Sequence, residues 1–102
     1  MKSIWTTAAL VLCAAGANAQ TPDALYIKSL AATCANCHGT DGRAVSGSTV
    51  PTIAGMPKDY LAIQLKAFKA GTRPATVMHQ LSKGYSDAQI DQIATYFAAQ
   101  KK

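Results

Sequence analysis

Two thiols and an imidazole fall within five residues at Cys34, Cys37 and His38, in the order C-x-x-C-H. The chemistry that needs those three groups at that spacing is covalent haem attachment. The thiols add across two vinyl groups to form thioethers, and the adjoining imidazole ligates the iron from one side. Three other chemistries use part of the set. A disulfide has no need of His38. A thioredoxin-like redox pair sits in a βαβ pattern, which this sequence lacks. Zinc needs a second ligand pair, and His79, the only other histidine, stands alone.

Iron held by one imidazole is either open on its other side, for gas or peroxide, or closed by a second side chain, which favours outer-sphere electron transfer. Met56, Met78 and His79 are the candidates for that second position. A thioether is soft and favours ferrous iron, so methionine raises the potential. Position favours Met78. It falls 40 residues after His38, between two expected helices, with enough chain to reach the opposite face of the ring. Met56 lies between Gly55 and Pro57, nearer the proximal side, and reads as packing. Pro51 offers a carbonyl without an N–H of its own. A ligating histidine usually donates its second ring nitrogen to such an acceptor, although Pro51 equally reads as a residue that merely stiffens its loop.

These groups need rigid elements to carry them. Thr21, Pro22 and Asp23 form a helix start, with Thr21 as N-cap, Pro22 at the first helical position and Asp23 set against the dipole. That helix carries Leu25, Tyr26, Ser29, Leu30 and Thr33 on one side and is expected to run directly into Cys34. From Gly39 to Gly55, four glycines with Asp41, Ser46, Ser48 and Pro51 make a loop that would wrap one edge of the ring. Pro57 opens a second helix with Tyr60, Leu61, Leu65 and Phe68 on one face and Lys58, Lys66 and Lys69 towards solvent, and Gly71 ends it. Residues 72–84 read as a loop with at most one short turn. Ser86 with Gln89 is a capping box, and Ile90, Ile93, Ala94 and Phe97 repeat at i, i+3, i+4 and i+7 in the last helix. No strand pattern competes, so the expected class is all-α.

Residues 1–19 read as a cleaved secretory signal peptide: Lys2, an uncharged apolar run from Ile4 to Ala15, and the small-x-small site Ala17-Asn18-Ala19. The run is shorter than the roughly 20 residues a bilayer core requires, so no transmembrane anchor is expected after cleavage. A lipoprotein signal ending at Cys13 would want a small residue where Leu12 stands. Residues 20–102 then form one domain carrying nine Lys plus Arg against five Asp, a net charge of +4. No basic run interleaved with aromatics argues for nucleic acid. A domain of 83 residues has a marginal core without a staple, and a covalent haem is the staple the motif implies. Such haem is attached outside the cytoplasmic membrane, which agrees with export to the periplasm.

The order of helix, C-A-N-C-H-G, glycine-rich loop, P-T-I-A-G, Y-L-A-I-Q-L-K-A-F helix, methionine loop and capped helix ending in Y-F-A-A resembles the class I c-type cytochromes. The resemblance implies N- and C-terminal helices packed around one covalent haem c, with a middle helix and long loops. It implies Cys34 and Cys37 as thioether links, His38 as proximal ligand, Met78 as distal ligand and Pro51 as the carbonyl partner of His38. A-T-C-A-N-C-H-G-T-D-G, V-P-T-I-A-G-M-P-K-D-Y-L, R-P-A-T-V-M and K-G-Y-S-D-A-Q-I are similar to the monohaem cytochrome subunit of flavocytochrome c sulfide dehydrogenase. There an FAD-containing flavoprotein subunit oxidises sulfide and passes electrons to the cytochrome. The expected function is therefore one-electron transfer, with no catalysis by this chain alone. A free periplasmic carrier serving a terminal oxidase or another redox enzyme is the alternative, and a haem sensor or peroxidase a third.

Overall fold

The computed structural model describes residues 20–102, and the signal-peptide reading of residues 1–19 lies outside them. Five α-helices follow in order: α1 (Pro22–Ala32), α2 (Ala35–His38), α3 (Lys58–Ala70), α4 (Met78–Lys83) and α5 (Asp87–Ala98), with a 3-10 turn at Thr40–Gly42. Among the described residues there is no strand, and the all-α expectation holds.

The local signals act as their chemistry requires. Thr21 Oγ1 accepts from the Ala24 amide at 3.2 Å, with Pro22 and Asp23 in the first turn of α1. Ser86 Oγ accepts from the Gln89 amide at 3.1 Å, and Gln89 Oε1 accepts from the Ser86 amide at 2.9 Å, closing both halves of the capping box. Gly71 ends α3 in the left-handed conformation, at φ +78°. Pro57 stands just before α3 rather than inside it.

α3 and α5 are the elements on which most of the packing rests. α5 lies against α1 on one side and α3 on another, and α4 leans on α3. Phe97, Ile93 and Ala94 of α5 form one cluster with Ala31 of α1 and Leu61 and Ala62 of α3. Ile90 is fully buried as well. Leu30, Cys34, Ile53, Met56, Leu65, Tyr85 and Tyr96 pack around this centre.

Two expectations change, and α1 packs in a way its period does not show. α1 does not bury Leu25 and Tyr26, which are about half exposed. Its buried residue is Ala31, which shares the core cluster with Ala94 of α5, while the Tyr26 hydroxyl accepts from Gln89 of α5 at 2.9 Å. The first helix stops at Ala32, and Thr33 and Cys34 form a turn before α2 begins. Residues 72–84 are not all loop, because α4 forms at Met78–Lys83. A six-residue helix has too few turns to produce a readable apolar period.

The loop from Gly39 to Gly55 is irregular yet tied. The amides of Ile53 and Ala54 both donate to the Gly42 carbonyl, at 2.8 and 3.1 Å, and the Gly55 amide donates to the Phe97 carbonyl at 2.8 Å. Ala44 N–H donates to Thr52 Oγ1 at 3.1 Å. Gly42 sits at φ +80°, and a Cβ there would lie 2.8 Å from both Ile53 and Phe97 side chains. Only glycine lets the loop press this closely on the core.

Candidate haem site

Cys34 ends the turn after α1 in right-handed helical conformation, and α2 continues from it. The His38 amide donates to the Cys34 carbonyl at 2.9 Å, so the two residues are one helical turn apart. Positions i, i+3 and i+4 share a helix face. Both sulfurs and the imidazole therefore project to the same side of a single turn. Cys34 and Cys37 are both free thiols. Burial is the main cause that pushes the Cys34 thiol above its ordinary range, opposed by the Thr33 hydroxyl 3.9 Å from its sulfur.

Gly39 ends this turn at φ +84°, and a Cβ there would lie 1.9 Å from the Arg43 carbonyl oxygen. The sharp exit returns the chain beneath the imidazole. His38 Nδ1 donates to the Pro51 carbonyl oxygen at 2.7 Å. This fixes the tautomer: Nδ1 carries the proton and Nε2 keeps its lone pair for a metal. Of the two readings of Pro51, the acceptor one has its hydrogen bond. Pro51 itself is exposed and free to stiffen the loop too.

Met78 opens α4 and is half-buried, as is His79 beside it. Nδ1 of His79 is buried without a hydrogen-bond partner. Val77 and Leu81, flanking Met78, are about half exposed and present apolar surface of the kind a flat macrocycle covers. Met56 packs against the core cluster. The donor set fits a haem: two free thiols and an imidazole on one helical face, the imidazole oriented by a carbonyl, and a methionine among apolar side chains.

Two relationships around the motif carry no sequence signal. Tyr96 on α5 donates to Asp41 Oδ1 at 2.5 Å, and Asp41 also lies 3.6 Å from the Arg43 guanidinium. Asp41 takes the left-handed conformation at φ +52°, which aspartate tolerates better than most residues. The hydrogen bond to Asp41, more than burial, pushes the Tyr96 phenol up to about 12. The second pair is Thr33 Oγ1 and Tyr85 Oη, 2.6 Å apart across 52 residues. Both pairs join segments too distant for periodicity to connect.

Several cations of α3 and the segment after it are engaged. Lys66 pairs with Asp91 at 2.9 Å and Lys69 with Asp87 at 3.0 Å, bridging α3 to α5. The Arg73 guanidinium lies 4.5 Å from the Phe68 ring centre and also donates to Gln64. Lys58, Arg73 and Lys83 have no ion pair among the described residues.

Residues 24–101 match the family model for cytochrome c. The chain belongs to that family and is a class I c-type cytochrome that binds one haem c covalently. It is 46% identical over 68 residues to the cytochrome subunit of sulfide dehydrogenase from Chlorobaculum tepidum, a stretch covering 67% of this chain and 60% of that protein. Identity to the thiosulfate dehydrogenase electron acceptor of Thiomonas intermedia is 41% over 71 residues, 70% of this chain and 33% of the relative. Cytochrome c-554(548) of Halomonas halodenitrificans is 36% identical over 72 residues, 68% of this chain and 86% of the relative. The chain thus spans less than two thirds of the first relative, a third of the second and most of the third. Electron transfer is the activity common to this family.

Proposed function

We propose that this chain is a periplasmic electron-transfer subunit that accepts electrons singly from a flavoprotein oxidising sulfide. The 46% identity to the cytochrome subunit of sulfide dehydrogenase is the observation that carries the partner assignment. The domain is read as residues 20–102, released from a signal at residues 1–19.

Haem c supplies a one-electron ferric–ferrous couple when bound. Cys34 and Cys37 would hold it by thioethers, which fixes it to the turn after α1. His38 would ligate through Nε2, its ring orientation and basicity set by the Pro51 carbonyl. Met78 would fill the sixth position, raising the potential and closing the iron to substrates. An iron closed on both faces leaves outer-sphere transfer as its chemistry. No proton or substrate atom has to move, so the chain's task is rigidity and the presentation of a ring edge to the partner.

A purified holoprotein mixed with its co-purifying flavoprotein tests the partner. The expected result is haem reduction that depends on sulfide, and retention of both subunits through purification. Equal reduction rates with unrelated donors, and a chain that runs alone, would overturn it in favour of a free carrier. That second reading has its own support, since the match to cytochrome c-554(548) covers 86% of that relative. Carbon monoxide binding by the ferrous wild type at neutral pH would point to a sensor instead.

A further inference from the structure

α4 is weakly held by its own sequence. Six residues are too few for a helix to persist alone in water, and Val77 before it supplies no side-chain cap. His79 and Ser82, three apart on one face, bury Nδ1 and Oγ without hydrogen-bond partners. Neither finds a hydrogen-bond partner within the chain, so neither adds a tie that holds the helix. Something beyond the helix must keep it in place.

Tyr85 lies two residues past its end and is partly buried at the edge of the core. Its hydroxyl is 2.6 Å from Thr33 Oγ1. Thr33 Oγ1 donates to the Leu30 carbonyl at 2.8 Å, so Tyr85 is the donor and Thr33 the acceptor. Thr33 immediately precedes Cys34, the first anchoring cysteine. Among the described residues, this is the one hydrogen bond that joins residues 78–85 to residues 20–42.

We propose that Tyr85, acting through Thr33, is a positioning residue that sets how often Met78 leaves the iron; this rests on the reading of Met78 as the sixth ligand. The Met78 segment is then tied at both ends, by the thioether at the start of α4 and by the phenol just beyond it. Removing the phenol hydroxyl leaves Met78 and the packing of α4 on α3 in place but frees one tie. The segment opens more often, and an external ligand finds the iron sooner.

The test is imidazole binding to the ferric holoprotein by stopped flow. At saturating imidazole the observed rate reaches a plateau set by departure of the internal ligand. Tyr85→Phe is expected to raise that plateau about three- to tenfold, the factor one net hydrogen bond carries. Thr33→Val should raise it similarly, and the double variant should add nothing further. Tyr26→Phe removes the 2.9 Å bond from Gln89 to Tyr26 between α5 and α1, and should lower global stability without moving the plateau. An unchanged plateau in Tyr85→Phe, or an equal rise in Tyr26→Phe, would overturn the proposal. A wild-type ferric spectrum lacking the far-red methionine-to-iron band would instead reject Met78 as the ligand, and the proposal with it.

Discussion

His38 Nδ1 and the Pro51 carbonyl oxygen are 2.7 Å apart, so a residue in the middle of an irregular loop decides which nitrogen of the imidazole faces the metal. The acceptor is backbone, and no side-chain change removes it. Pro51→Ala should therefore leave the reduction potential of the holoprotein where it is in the wild type. The variant should nevertheless lose about 0.4–1 kcal/mol of stability, because alanine gives the unfolded chain more freedom than proline. Redox titration and denaturant titration of the same sample measure both. A shifted potential would mean that the ring of Pro51, and not its carbonyl, sets the imidazole.

Tyr96 and Asp41 give a pH dependence with a definite sign. The phenol is pushed up to about 12 in the folded protein, against roughly 10 for an unperturbed tyrosine. The folded state binds this proton more tightly than the unfolded state. The stabilisation is thus complete below about pH 10 and is lost as pH rises towards 12. Tyr96→Phe should lower stability by about 1 kcal/mol at neutral pH. The gap between variant and wild type should close over that alkaline window. Stability curves that stay parallel from neutral pH to the top of the range would remove the Asp41 bond as its cause.

Phe97 and Gly42 are complementary. Phe97 is 2% exposed, and Phe97→Ala should cost about 3–5 kcal/mol. Gly42→Ala adds only a methyl, yet it meets both a positive φ and a 2.8 Å approach to Phe97. The conformational term alone is about 1–2 kcal/mol. The loss should shrink in a Phe97→Leu background, where the ring edge is gone. Urea melts of the two single variants and the double variant measure the coupling, and strict additivity would contradict it.

Much of this molecule was legible from spacing alone. The caps at Thr21 and Ser86, the end at Gly71 and the buried period of α5 are local signals, and each formed as written. C-x-x-C-H named the two thiols and the imidazole, and the turn from Cys34 to His38 puts them on one face. Periodicity grouped Leu25 and Tyr26 on one side of α1, and both are about half exposed. The decisive residue there was Ala31, and a small residue leaves little trace in a hydrophobic pattern. α4 went unread because six residues do not complete two turns. Tyr85 on Thr33 and Tyr96 on Asp41 join positions 52 and 55 residues apart, which only the packed chain brings together.

The central claim is that iron in this chain is closed by His38 and Met78 and so carries electrons rather than substrates. The far-red band of the ferric holoprotein reports a methionine sulfur on iron. That band should be present in the wild type, survive in Met56→Ala and His79→Ala, and vanish in Met78→Ala, whose ferrous form should then bind carbon monoxide. A Met78→Ala protein that keeps the band and still excludes carbon monoxide would contradict the claim.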